Sequence, residues 1–344
     1  MTQVKCDMDR LTAPLTTDHK FAIVAASNIF TDIEETLISS IDSTIVSDKL
    51  PFTLEEHWRD WLGKIQHDNL MGCNLFIERY RTSGWAANQL EVLDQINHDL
   101  RGEVYAVFSL LHLLGTWEYD RPNVYLFTGH MKDSFATVRQ FARLERFNVT
   151  RGCRGSELTA QSISEALALY RAMENLTIRL PDDERARFWR GFRALMYGLK
   201  AFFASDRLHG FVRSLEALIL PEKSNTEKQF RDRCAIMGAP DSEEAKARQM
   251  LGEAYKLRSD VEHVNEWDKS LTTLTNATAR EERALWRTRQ VEALACAAYR
   301  RILLAANAQK HFMSDADIRA FWEPSNVIVA RAAMGNVCNI TVVS

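Results

Sequence analysis

The chain has 344 residues, 46% of them hydrophobic and 26% charged, and a net charge of -3; these are the proportions of an ordinary globular protein with material for two domains. That balance excludes a protein that holds polyanions through its overall charge, so any affinity for nucleic acid must come from a local patch. Only 7 prolines and 14 glycines interrupt the chain, which points to long helices and few hairpins.

In chain order, the first twenty residues are polar, and positions 1–10 lack the apolar run of a signal peptide. The most apolar stretch, 104–114, contains Ser109 and His112 and is too short to span a bilayer, so a soluble, cytoplasmic protein with no membrane partner is expected. Residues 21–26 read as a strand or the start of a helix. Ile33, Leu37 and Ile41 predict a helix over 30–43. Thr53 as N-cap with Glu56 three residues later opens a helix that runs to His67, with Trp58, Trp61 and Leu62 on one stripe. Residues 90–114 read as two helices meeting near Gly102 and stopping at Gly115, and 123–128 as a strand.

From Ser156 onward the period is helical. Leu158, Ile163, Ala166, Leu167 and Tyr170 keep register over 156–175, and Pro181-Asp182-Asp183-Glu184 starts the next helix. Breaks follow at 221–226 and 238–242. A last long helix over 279–307 carries Val291, Leu294, Ala295, Ala298, Ile302 and Leu303 as an apolar stripe. The expected division is an N-terminal domain over 1–180, a helical bundle over 181–310 and a C-terminal tail over 311–344. The expected fold class is mainly α, with some strand in the N-terminal half.

Chemistry is concentrated in Tyr255-Lys256-Leu257-Arg258-Ser259-Asp260-Val261-Glu262-His263. Cleavage of RNA at a ribose 2′-hydroxyl needs a group that titrates near neutrality, and imidazole is the side chain whose ordinary pKa, roughly 6.5, lies there. It also needs a permanent cation for the crowded phosphorane, which the planar fork of arginine supplies better than lysine. Five residues of α-helix turn through about 500°, so Arg258 and His263 would point some 140° apart, and two copies of the motif across a twofold axis would complete one site. The alternative is a solvated arginine and a histidine favoured by the helix C-terminus.

The surroundings carry a pattern. A helix ending in Leu215-Glu216-Ala217-Leu218 is followed by Phe230-Arg231-Asp232-Arg233, then by Tyr255-x-x-Arg258-Ser259-x-x-x-His263. This order over about 185–306 resembles the HEPN superfamily and is similar to its Apea-like branch. One departure is that Val264 and Asn265 follow the histidine, where the family often has glycine. The resemblance implies a HEPN-like helical bundle that dimerises, with two Arg-x4-His motifs forming a metal-independent endoribonuclease. Arg258 and His263 would be catalytic, with Ser259 and Asp260 orienting them. A carboxylate within an apolar helix is costly unless paired, so Glu216 is expected to partner Arg233 or Arg258, with Tyr255 beside them. Proteins of this kind often act as toxins or phage-defence effectors, which would make the N-terminal half a sensor or an inhibitory lid, with a regulatory protein as a further partner. The rival reading is a HEPN-like scaffold without catalysis that binds a partner protein or nucleotide.

Arg185, Arg187, Arg190, Arg193, Lys200, Arg207 and Arg213 face a single acid, Asp206, over their span. Of these, Arg185, Arg190, Arg193, Lys200 and Arg207 are the candidate RNA contacts, although a solvated helix face has the same pattern. A second set, Arg139, Arg143, Arg146, Arg151 and Arg154, is interleaved with Phe135, Phe141 and Phe147; such aromatics stack bases or fill a core. His98 and His112 show no metal or triad spacing in the sequence and read as hydrogen-bonded structural histidines. The six cysteines form no C-x-x-C pair, and there is no glycine-rich phosphate loop. No metal and no cofactor are expected.

Overall fold

The computed structural model describes residues 19–27, 29, 31, 33, 36–39, 44–50, 52, 56–82, 90–115, 123–132, 135–144, 158–179, 186–262, 271, 274 and 276–343. Within these the protein is mainly helical, with one antiparallel sheet in its N-terminal part. The chain divides into two compact units: Met1–Leu111, Thr116–Arg146 and Arg154–Tyr170 form the first, and His112–Gly115, Phe147–Cys153 and Arg171–Ser344 the second. No helix among the described residues is long and apolar enough to cross a membrane.

The first unit runs β1 (His19–Ala26), β2 (Thr36–Ser39), β3 (Thr44–Ser47), α1 (Glu56–Leu62), α2 (Lys64–Met71), β4 (Leu75–Thr82), α3 (Leu90–Leu111), β5 (Val124–Lys132) and β6 (Phe135–Arg143). The sheet order is β2-β3-β4-β1-β5-β6. β1 is a central strand, and every residue from Phe21 to Ala26 is fully buried. That explains its unbroken apolar run, since both faces of the sheet are covered. Phe21, Ile23, Tyr125 and Phe127 pack with Leu62 of α1 and Leu70 of α2, while α3 lies across β1, β4 and β5.

Three expectations are corrected here. Within the helix expected over 30–43, Thr36–Ser39 form β2 instead, which pairs Thr36 with Val46 of β3, while residues 30, 32, 34, 35 and 40–43 lie outside the described residues. The helix expected from Thr53 to His67 is cut in two at Gly63, whose φ of 78° is left-handed and natural only to glycine. The break expected at Gly102 is absent. α3 passes through it, because the buried Leu100, Val104, Val107, Phe108 and Leu111 outweigh the roughly 1 kcal/mol that glycine costs a helix.

The second unit takes up α4 (Ala160–Arg179) partway along its length. It continues with α5 (Ala186–Lys200), α6 (Ala204–Ile219), α7 (Thr226–Gly238), α8 (Glu244–Glu262), α9 (Ala277–Leu304), α10 (Ala306–Gln309), α11 (Asp315–Phe321) and α12 (Val327–Met334). α5 and α6 approach closely through small residues: a Cβ on Gly210 would meet the Gly198 Cα at 2.8 Å and the Ala194 carbonyl oxygen at 2.9 Å. α9 starts at an Asn276 cap that accepts from the Thr278 N–H. Its expected stripe, Val291, Leu294, Ala295, Ala298, Ile302 and Leu303, is buried throughout. Residues 311–344, expected as a tail, belong to the unit. Trp322 donates to the Leu218 carbonyl at 3.0 Å, and Arg301 of α9 donates to Ala333 of α12 at 3.0 Å.

Candidate functional site

Glu216 is placed by α6, whose Leu208, Phe211, Val212, Leu215, Leu218 and Ile219 are fully buried. The carboxylate stands beside that stripe, half-buried, and is met by two residues of α8. The Tyr255 hydroxyl donates to one oxygen at 3.1 Å, and Arg258 Nη2 donates to the other at 3.3 Å. Tyr255 and Arg258 are three apart and share a helix face, which puts the guanidinium carbon 5.5 Å from the centre of the tyrosine ring, a cation–π distance. From α7, Phe230 packs its ring 5.1 Å from that of Tyr255. Three helices thus converge on one carboxylate–arginine pair. The burial that would penalise either charge alone is offset by the other.

Arg233, the other partner considered for Glu216, caps α6. It donates to the carbonyls of Ile219 and Leu220 at 2.6 and 3.3 Å, with the Trp322 ring 5.9 Å from its guanidinium. A cation at a helix C-terminus is favoured by the dipole, and burial moves this guanidinium below its ordinary pKa against the opposing charge of Glu222. Next to it, Cys234 is a buried free thiol, pushed well above its usual pKa by burial and then by the charge of Glu216. It is therefore a packing residue, because the thiolate is the reactive form. Cys73, Cys296 and Cys338 are also free; Cys6 and Cys153 lie outside the described residues.

Ser259 and Asp260 are half-buried on the last turn of α8. His263 lies outside the described residues, as does Arg185. Arg190 and Arg193 are exposed and Lys200 half-exposed on α5. Arg187 is drawn away by Asp315, to which it donates from Nε at 2.7 Å and Nη2 at 3.0 Å. Arg207 is the clear correction among the expected RNA contacts. Only 2% exposed, it bridges Glu292 of α9 at 2.8 Å and the Leu199 carbonyl at 3.3 Å, so it holds the bundle together and meets no solvent ligand. In the first unit, Arg139 and Arg143 are exposed on β6, an edge strand on which charge prevents further pairing. Phe141 stacks on Tyr125 at 5.2 Å, the core role. Phe147, Arg146, Arg151 and Arg154 lie outside the described residues.

Two polar clusters escaped sequence reasoning. Arg79 of β4 pairs with Glu103 of α3 at 2.6 Å, in a unit where strand β4 itself had not been expected. In the second unit, Glu253 of α8 accepts from Arg283 at 2.9 Å and from Arg287 at 2.8 Å, next to a cleft of about 480 Å³ that Glu253, Arg283 and Trp286 help to line. Nothing local on α8 marks Glu253, because its partners lie 30 and 34 residues further along the chain on α9. Among the described residues no three His, Cys, Asp or Glu side chains converge as metal ligands would. The chain matches no known family model, no curated protein and no solved structure.

Proposed function

We propose that the protein is a metal-independent endoribonuclease of the HEPN type, built on Arg258 and His263. The observation that supports it is the Glu216–Tyr255–Arg258 cluster. A carboxylate takes one end of the guanidinium and a ring lies against it, which restricts the side chain five residues before the histidine. A guanidinium carries five donors in a rigid fork and can serve a carboxylate and a phosphate together. In the reaction the ribose 2′-oxygen bonds to phosphorus and the bond to the 5′-oxygen breaks. The 2′-hydroxyl proton goes to a base, a proton reaches the leaving 5′-oxygen, and the products are a 2′,3′-cyclic phosphate and a 5′-hydroxyl. His263 is the base or the acid, and Arg258 stabilises the charge on the phosphorane. The active form is a homodimer that pairs two motifs. The first unit regulates it, as in a toxin or phage-defence effector.

Incubation with labelled RNA in the presence of chelator tests this reading. His263→Ala should lose about a hundredfold or more of the rate, and full activity in that variant overturns the assignment. A second reading, a non-catalytic scaffold, is favoured by the low exposure of Arg258, 13% of its side chain, which suits a structural ion pair. It predicts no cleavage by the wild type.

A further inference from the structure

Arg190, Arg193, Tyr197 and Lys200 follow one another on α5 at spacings of three and four residues, so they form one stripe along the helix, on the side away from the buried Phe192, Leu195 and Leu199. The stripe runs into the turn between α5 and α6, where Phe202 and Phe203 stand in solvent. Phe202 is 80% exposed, Phe203 64% and Tyr197 60%. The two phenylalanine rings lie 5.2 Å apart and at 89° to one another, so they offer ring faces in two directions. Single exposed apolar residues are commonplace, but three large aromatics in one place, rimmed by cations, mark a surface that meets something.

We propose that this stripe and turn are a platform for single-stranded RNA, with the backbone tracked by Arg190, Arg193 and Lys200 and bases stacked on Tyr197, Phe202 and Phe203. Charge decides the class of partner. The stripe is cationic in a chain whose net charge is -3, so it is a local attractor for a polyanion. The rings decide its form, because a base offers its π-face to an aromatic side chain only when it is out of a duplex. The helix itself is placed for this: the close approach at Gly198 and Gly210 locks α5 to α6 and fixes the turn between them. From that turn, α6 rises about 20 Å to Glu216. The platform rests on the ribonuclease reading only for its choice of RNA over DNA.

The test uses the full chain and a fluorescein-labelled 2′-O-methyl RNA strand of about twelve nucleotides, which cannot be cleaved by attack of the 2′-oxygen, so binding is read independently of catalysis. Fluorescence anisotropy should show the single strand held more tightly than the same sequence annealed to its complement. The double variant Phe202→Ala, Phe203→Ala should weaken the single strand about tenfold or more, with an unchanged circular dichroism spectrum and oligomeric state. Arg193→Ala should lower the salt dependence by about one phosphate contact. Unchanged affinity in the double variant, or equal affinity for the duplex, would each overturn the platform. A wild type that binds the strand through these rings yet cleaves no RNA would leave the platform standing and sink the ribonuclease reading alone.

Discussion

Helix α6 carries two ion pairs to neighbouring helices, and they are built differently. Arg207 reaches Glu292 at 2.8 Å with side chains 3% and 12% exposed. It adds a carbonyl bond to Leu199 and lies 5.5 Å from the Phe211 ring centre. Glu216 reaches Arg258 at 3.3 Å with side chains 19% and 13% exposed. The first pair is closed inside the bundle and its charges are spent on each other. The second is longer and lies nearer the surface, with an aromatic wall on the arginine. A guanidinium in the first setting is a structural bolt. In the second it is held in place with 13% of its side chain exposed, the setting that the proposed phosphate contact requires. Both arginines come from the same unit; the sequence offers Arg207 as an RNA contact and Arg258 as a catalytic residue, and their surroundings separate them.

The comparison breaks most easily at the closed pair. Arg207→Ala leaves Glu292 buried without its counter-charge, and the expected loss is about 3–5 kcal/mol of stability, measured by urea unfolding. A loss under about 1 kcal/mol would mean that the pair is no more than a surface contact. The open pair should behave in reverse. Arg258→Ala should cost about 1.5–3 kcal/mol of stability, the scale of a hydrogen bond to a charged group, while removing about 2 kcal/mol or more of transition-state stabilisation in RNA cleavage, the scale of one oxyanion-type donor. Stability that falls as far as in Arg207→Ala, with the cleavage rate unchanged, would erase the distinction.

The smallest effect is one of pH. Burial alone would raise the Glu253 carboxyl, but hydrogen bonds from Arg283 and Arg287 prevail and hold it below the ordinary carboxylate range. A carboxyl whose folded pKa is depressed contributes stability above its unfolded value, roughly 4.3 for glutamate, and loses that contribution as pH falls through the folded value. The gap in unfolding free energy between wild type and Glu253→Gln should therefore be widest near neutrality and shrink as pH drops below about 4. A gap that grows in acid would contradict the direction of the shift.

What could be read from the sequence follows from how local each cause is. The α9 stripe and the α5 start lie in local periodicity and turn chemistry, and a helix is found near both expected places. Glu216 was legible because a carboxylate in an apolar helix needs a partner, and Arg258 is one of the two considered. Arg207 was not legible as structural, because its partner is 85 residues away on α9. Ile33, Leu37 and Ile41 match a helix by spacing, yet the pairing of β2 with β3 decides the strand, and pairing partners leave no trace in one segment. Tyr197, Phe202 and Phe203 read as ordinary apolar residues until their exposure is known.

The central claim, cleavage by attack of a ribose 2′-oxygen, is tested most directly by the ends of the product. RNA cut by the wild-type protein in chelator should carry a 2′,3′-cyclic phosphate on one fragment and a 5′-hydroxyl on the other, identified by mass spectrometry. Fragments ending in a 3′-hydroxyl and a 5′-phosphate would show that water attacked and the 3′-oxygen left, and would contradict the account.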